Sequence, residues 1–106
     1  MTGAAASGNG PLAGHVRLIR AAADLIEQAG IPGLTLFPWH DEIAIQVPDA
    51  AGDEIARIRS VARIAALAGG RAAPGPGPGR ISARGSFAGH PVYVHTHVKE
   101  EEKEAP

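Results

Sequence analysis

Two histidines separated by one residue, His95 and His97, could serve more chemical functions than any other residues in this sequence. They follow Tyr93 in the segment PVYVHTHV, whose alternation of apolar and polar residues is typical of a β-strand. Alternate residues of a strand share one face, so the three side chains would project together, with the histidines roughly 7 Å apart along the strand. Such a row could bind a metal ion, act in catalysis or contact a ligand.

A metal site on this strand would be short of ligands. Zinc is held by three or four donors in a tetrahedron, each oriented by a further hydrogen bond. The chain has no cysteine, and its other histidines are His15, His40 and His90. His40 falls in a predicted hairpin loop, and His90 is expected to point into the core. We therefore expect no metal and no cofactor, and we interpret the pair as exposed strand histidines.

Catalysis would require a nucleophile, a base and a group that orients the base, joined by hydrogen bonds. Ser82 is predicted to lie opposite His95 on the neighbouring strand, but the sequence assigns no carboxylate beside this pair. The segment GPGPG precedes a strand and lacks the lysine and hydroxyl residue that follow in a phosphate-binding loop. We expect the protein not to be an enzyme.

Two helices and two hairpins are predicted to position these residues. Apolar residues recur at helical spacing from Leu12, and Gly30 followed by Pro32 ends this first helix. A second helix is expected from Asp49 to Ala68, where two glycines follow. The strands are predicted at residues 34–37 and 42–47, around a four-residue loop at 38–41, and at residues 81–87 and 90–98, around a two-residue turn at 88–89.

The order helix, hairpin, helix, hairpin indicates an internal duplication. When the first helix is shifted by 39 residues, its Arg20 and its stop glycine, Gly30, fall on identical residues of the second helix. We therefore predict an α+β fold, in which a duplicated αββ unit (αββαββ) forms a four-stranded antiparallel sheet with both helices on one face. The single domain would span 12–98, with unit one at 12–48, unit two at 49–98 and a Gly/Pro linker at 70–79. Residues 1–11 and the acidic tail 99–106 are expected to be disordered.

The strand register predicts one aliphatic face and one mixed face. With the turn at 88–89, Arg84 lies opposite Tyr93, and Ser82 lies opposite His95. A slip of one residue would move every side chain to the opposite face of the sheet. Both hairpins separate into one aliphatic and one mixed face, and this agreement supports the register. The face turned away from the helices is predicted to be a binding face made of Phe37, Arg80, Ser82, Arg84, Tyr93, His95 and His97, with Trp39 at a hairpin tip as a secondary anchor.

Composition and charge restrict the class of protein. With 44% hydrophobic but only 4% aromatic residues, the core must be aliphatic. No apolar run approaches the ~20 residues that cross a bilayer, and the first residues lack a signal-peptide pattern. The absence of cysteine fits a reducing compartment, and the abundance of Ala, Gly, Pro and Arg is typical of a GC-rich bacterial genome. We expect a soluble, cytoplasmic, bacterial protein with no membrane partner.

The charges are unevenly distributed along the chain. Residues 1–54 carry seven acids and two arginines, whereas residues 55–98 carry six arginines and no acid. Mutual neutralisation of the two halves within the fold is the simpler interpretation. The other is an anion-binding second half that the acidic tail can cover, with Arg57, Arg59 and Arg63 of the second helix as candidate phosphate contacts.

An exposed sheet face with aromatic residues and arginine has the composition that recurs at protein interfaces. We expect a small non-catalytic binding or regulatory module that acts through this face, by contact with a protein partner or by self-association as a homodimer. The alternative is nucleic-acid binding, because sheet-face aromatics flanked by arginines stack unpaired bases in some modules. The net charge of −1 and the presence of Glu42 on the same face oppose this alternative.

Overall fold

The structure, a computed structural model, describes residues 11–39 and 41–99, with the side chains of residues 11, 12, 38 and 39 outside the description. The described residues form α1 (Pro11–Ala29), β1 (Thr35–Trp39), β2 (Glu42–Gln46), a short 3-10 helix (Asp49–Ala51), α2 (Glu54–Leu67), β3 (Ala73–Pro74), β4 (Arg80–Phe87) and β5 (His90–His97). The protein is therefore of the α+β class. The two segments predicted to be disordered, 1–11 and 99–106, lie outside the described residues except for residues 11 and 99.

Helix α2 begins later than the sequence predicts. Asp49 starts a separate 3-10 turn, and Gly52 interrupts the helical run with a φ of 149°. Asp53 then caps α2, because its Oδ1 accepts a hydrogen bond from the Ala56 N–H at 2.8 Å. The predicted start at Asp49 is wrong because two aspartates four residues apart both resemble a cap in the sequence.

The five strands form one mixed sheet in the order β1-β2-β5-β4-β3. The prediction of four antiparallel strands is wrong, because β2 and β5 run parallel, with Ile43 beside Val92 and Ile45 beside Val94. Alternation along a strand predicts which of its side chains face the core, but it does not predict which other strand lies beside that strand.

The predicted linker at 70–79 also adds an unexpected strand. Ala73 and Pro74 pair with β4 at the edge of the sheet, where a proline need not remove a ladder hydrogen bond. Because the second half of the chain thus contributes three strands, the two halves do not repeat one αββ unit in full.

The register predicted for the second hairpin is confirmed. Arg84 lies opposite Tyr93, and Ser82 lies opposite His95. The first hairpin is tighter than predicted, because β1 continues to Trp39, which pairs with Glu42. Only two residues therefore connect β1 to β2, and the predicted four-residue loop at 38–41 is wrong.

Both helices pack on the same face of the sheet. Helix α1 lies over β1 and β2, and α2 lies over β4 and β5. The core between helices and sheet is aliphatic, as predicted, and its largest fully buried side chains are Leu18, Leu25, Ile43, Ile45, Val47, Val61, Ile64, Val92 and Val94. Neither helix of the described part is long and apolar enough to cross a membrane.

The end of α2 touches the backbone of β4. The Ser86 N–H donates to the Ala68 carbonyl at 2.9 Å. A Cβ on Gly85 would lie only 2.3 Å from the Ala68 oxygen, and a Cβ on Gly70 only 2.1 Å from the Arg84 oxygen. These two glycines therefore permit a direct backbone contact that covers the β4 side of the sheet.

Candidate functional site

No described helix covers the side of the sheet opposite α1 and α2, and we call this side the outer face. Tyr93 and His95 are half-buried on it, whereas Arg84 and His97 are exposed. Phe37 is 48% exposed. The outer face carries Thr35 and Phe37 of β1, Glu42, Ala44 and Gln46 of β2, Tyr93, His95 and His97 of β5, and Arg80, Ser82 and Arg84 of β4.

Arg84 reaches from β4 across Tyr93 to Glu42 on β2. The guanidinium carbon lies 4.4 Å from the centroid of the Tyr93 ring. Its Nη1 also donates to Glu42 Oε2 at 3.2 Å. The cation is thus held by the negative face of the ring and by a carboxylate, which are weak interactions at a surface. Arg84 and Glu42 neutralise each other at the centre of the outer face.

Three rings follow one another along β5. The ring centroids of Tyr93 and His95 are 5.4 Å apart at an interplanar angle of 27°. The rings of His95 and His97 meet edge to face, with centroids 5.8 Å apart. Arg80 Nη1 donates to the Tyr93 hydroxyl at 3.3 Å. The structure therefore brings together five of the seven predicted binding-face residues, namely Arg80, Arg84, Tyr93, His95 and His97.

His95 is the titratable group that this environment affects. Burial lowers the pKa of His95, and the positive charges of Arg80 and His97 lower it further. Its Nδ1 is buried and has no hydrogen-bond partner among the described residues. The neutral imidazole is therefore favoured, and its ring acts as a flat, largely uncharged part of the outer face near neutral pH.

Ser82 is expected from the sequence to line the open face, but only 9% of it is exposed. Strand β3 lies beside it, with Ala73 as its cross-strand neighbour. Its hydroxyl donates to the Gly75 carbonyl. Ser82 thus binds the Gly/Pro segment to the sheet. Because this segment packs on β4 and does not run through solvent, the Ser82 side chain is not accessible to a partner.

Phe37 of β1 lies at the edge of the outer face. Phe37 is opposite Ala44, whose small side chain separates it from Tyr93 on the next strand. The exposed Phe37 ring therefore belongs to the same surface as the rings of β5. Trp39 ends β1 opposite Glu42, and its predicted role as a secondary anchor concerns a side chain outside the described part of the structure.

Arg57, a candidate phosphate contact, is bound to the protein's own acceptors. Its Nε donates to the Gly52 carbonyl at 3.0 Å. Its Nη1 lies 2.5 Å from the His97 carbonyl, 3.2 Å from Thr96 Oγ1 and 3.4 Å from Asp49 Oδ1. Only 12% of its side chain is exposed. Arg57 therefore joins the start of α2 to the end of β5, and a phosphate would have to displace these contacts.

The other two helix arginines differ from each other. Arg63 Nε donates to the Ala29 carbonyl at 2.5 Å, so it satisfies an acceptor at the C-terminal end of α1. Arg59 is exposed on α2 beside a shallow apolar groove that also includes Ala62, Ala66 and Leu67. The three arginines therefore do not converge on one anion site. Nothing in the sequence distinguishes Arg57 from Arg59, because their partners come from distant segments.

A second groove, of about 450 Å³, lies where β5 ends, and its lining includes Asp49, Glu54, Arg57, His97 and Lys99. Three of its charged groups already have partners: Asp49 pairs with Arg57, and Glu54 Oε2 accepts a hydrogen bond from the Lys99 backbone N–H at 2.6 Å. Within residues 11–39 and 41–99, no three His, Cys, Asp or Glu side chains are grouped as a metal site. The outer face is therefore the better candidate for binding.

Comparison of the chain with protein-family models, curated proteins and solved structures finds no match in any of the three. The functional argument therefore depends on the residues of the outer face themselves.

Proposed function

We propose that this protein is a non-catalytic binding module whose outer face contacts a partner protein. The observation that supports this proposal is the partly exposed aromatic surface that extends from Phe37 across Ala44 to Tyr93, and along β5 to His97. Aromatic side chains and arginine provide most of the energy at protein interfaces, because they bury a large area with few rotatable bonds. Here the chain places two of its four aromatic residues on a solvent-facing surface.

The electrostatics of the outer face favour a protein partner over a polyanion. Glu42 neutralises Arg84 at the centre of the face, and desolvation favours the neutral form of His95. Arg57 and Arg63 bind carbonyl groups of the protein itself. Affinity for nucleic acid depends on several cations that approach phosphates together, whereas a mixed surface of rings and paired charges is typical of protein interfaces.

The test is to isolate complexes of the tagged, full-length protein from cells that express it naturally. We expect Tyr93→Ala to lose a stoichiometric partner that the wild type retains, because the central ring of the face is removed. Arg59→Ala is the matched control, since it removes an exposed side chain from the helix side. If the partner is lost with Arg59→Ala and retained with Tyr93→Ala, binding occurs elsewhere and the proposal is wrong.

Single-stranded nucleic acid is the second candidate ligand. The Arg84 guanidinium over the Tyr93 ring, with Arg80 beside it, is the observation in its favour. A fluorescent single-stranded oligonucleotide would then bind with an affinity that falls steeply with salt and is abolished by Arg84→Glu. Affinity that is absent at low salt would remove this candidate.

The expected setting is the cytoplasm of a bacterium, which is a prediction from composition. Fractionation of the producing cell, with detection of the native protein, would test it directly.

A further inference from the structure

The two edges of the sheet differ in how their backbone groups are used. At the β3–β4 edge, Gly75 N–H donates to the Arg80 carbonyl at 2.8 Å, and Ser86 N–H donates to the Ala68 carbonyl at 2.9 Å. The Gly/Pro segment and the end of α2 therefore cover β4, and the outermost strand on this side, β3, is only two residues long. At the other edge, β1 pairs with β2 alone, and no backbone hydrogen bond of the described residues reaches its outward side.

The register shows which groups of β1 face outward. Val47 N–H donates to the His95 carbonyl at 2.9 Å, so the odd-numbered residues of β2 direct their backbone groups towards β5. The even-numbered residues of β2 must then bond to β1, which makes Thr35, Phe37 and Trp39 the bonded partners. Leu36 therefore points its N–H and carbonyl to the open edge. Pro38 has the same orientation, so its missing N–H is at the edge and not in the ladder.

Apolar side chains accumulate at this same edge. Ile26, Ile31, Leu34 and Leu36 pack against the core but are only partly buried. Val16 and Ile19 of α1 are 38% and 40% exposed. They lie on one stripe of α1 with Ala23 and Ile26, at helical spacing.

This stripe of α1 faces the open edge. Helix α1 is the one that lies over β1 and β2, and a short connection at residues 30–34 makes it run against β1. Connections between parallel strands of one sheet, such as that from β2 through α2 to β5, are right-handed. With this hand, a right-handed helix that runs antiparallel to β1 has the stripe next to its buried residues, on the side away from α2. An uncovered backbone edge and an uncovered helix flank are therefore adjacent.

From these observations we infer that a second copy of this chain pairs with the outward edge of β1, joining two five-stranded sheets into one continuous sheet about a two-fold axis. In an antiparallel pair centred on Leu36, the N–H and carbonyl of Leu36 would bond to those of Leu36 in the second copy. Leu34, outside β1 but of the same parity, would donate to the Pro38 carbonyl of that copy. The Leu36 side chains and the two α1 stripes would meet across the axis.

A second copy fits this edge better than an unrelated strand for two reasons. Residues 31–39 contain no charged side chain, so two copies meet without like-charge repulsion. The opposite edge ends in β3, which is only two residues long and contains Pro74, so it offers too little backbone for a further strand, and pairing through β1 ends at a dimer and does not extend into a fibre. The two-fold axis would also place both outer faces on the same side, which doubles the proposed binding surface. The inference uses the β1 edge and does not depend on the proposed function of the outer face.

The first test is the molar mass of the full-length protein in solution, by light scattering over a range of concentrations. We expect twice the 10.8 kDa chain mass for the wild type and for Tyr93→Ala. Leu36→Pro removes the outward N–H without removing a bond to β2, so it should be a folded monomer. Leu36→Ala is the matched control, since it also loses the side chain but keeps the N–H, and it should retain more dimer than Leu36→Pro.

The second test does not depend on any variant. In a sample that mixes labelled and unlabelled wild-type chains, we expect an intermolecular NOE between the Hα atoms of Thr35 and Phe37, and Leu36 amide exchange that slows with concentration. A wild type that is monomeric at every concentration overturns the inference. A dimer without this NOE, or one that Tyr93→Ala splits and Leu36→Pro does not, also overturns it, and the latter result would support self-association through the outer face.

Discussion

The guanidinium carbon of Arg84 lies 4.4 Å from the centroid of the Tyr93 ring, and the two residues are cross-strand partners on β4 and β5. This relationship defines the centre of the outer face, because Arg84 continues over the ring to Glu42 on β2. Three strands are thus linked by one side chain. A partner that contacts the Arg84 guanidinium meets a flat, polar and nearly neutral surface, and not an isolated positive charge.

We predict a small favourable coupling between Arg84 and Tyr93. In a double-mutant cycle with Arg84→Gln and Tyr93→Leu, the coupling energy should be about 0.5–1 kcal/mol, the range of exposed cation–π pairs. Urea unfolding of the four proteins measures it. A coupling energy of zero would show that the stacked geometry contributes nothing to stability in solution.

Gly85→Ala should destabilise the protein strongly. Its Cβ would lie 2.3 Å from the Ala68 oxygen and 2.9 Å from the Ala68 Cβ, so the end of α2 must move away from β4. Overpacking of this kind costs about 1–3 kcal/mol, and loss of the hydrogen bond between Ser86 and Ala68 adds to it. Chemical denaturation gives the free energy of unfolding.

Gly14→Ala is the control for this substitution. Gly14 lies inside α1, and outside the helix's own backbone the nearest neighbour of a Cβ added there would be Arg17 Nη2, at 3.9 Å. Replacing it with alanine should stabilise the helix by up to about 1 kcal/mol. Equal effects of the two substitutions would contradict the contact between α2 and β4.

Arg57→Ala should lower the free energy of unfolding by about 1–3 kcal/mol, because the part-buried Gly52 carbonyl and Thr96 Oγ1 lose a charged donor. Arg59→Ala, two residues away on the exposed side of α2, should change it by less than about 0.5 kcal/mol. Thermal or urea unfolding distinguishes the two variants. If Arg57→Ala is as stable as Arg59→Ala, the role of Arg57 as a structural link between α2 and β5 is wrong.

His95 should make stability depend on pH. Its pKa is lowered in the folded protein by burial and by the positive charges of Arg80 and His97, so between that value and about 6.5 the unfolded chain binds more protons. The free energy of unfolding should therefore be highest above about pH 6.5 and fall as the pH drops through the folded pKa.

His95→Gln removes this titration and is the variant to compare with the wild type. Urea unfolding at several pH values between 7.5 and 5 should show a steeper loss for the wild type. Parallel curves for the two proteins would show that the pKa of His95 is the same in the folded and unfolded states.

The register of the second hairpin could be predicted from the sequence, but the arrangement of the two hairpins in the sheet could not. The turn at Ala88-Gly89 determines that Arg84 faces Tyr93, and alternation along each strand determines which side chains are buried. The parallel pairing of Ile43 with Val92 leaves no local signal, because it joins segments far apart in the chain. For the same reason the sequence could not show that strand β3 would cover Ser82, or that Arg57 would bind carbonyl groups.

The sequence predicts that β1 forms, but it does not predict that β1 lies at the edge of the sheet. The apolar composition of residues 34–37 predicts a strand, and β1 does form there. That this strand would be outermost depends on the order of all five strands. A feature of the whole sheet therefore determines which backbone groups remain unpaired.

The most direct test of the central claim is site-specific photo-crosslinking in the cells that produce the protein. A benzophenone amino acid would replace Tyr93 at the centre of the outer face, or Ala62 on the exposed side of α2 as the control. We expect a discrete crosslinked complex with another protein from position 93 and none from position 62. Crosslinking from position 62 alone, or none from position 93 while the protein remains folded, would contradict the assignment of the outer face as the binding surface.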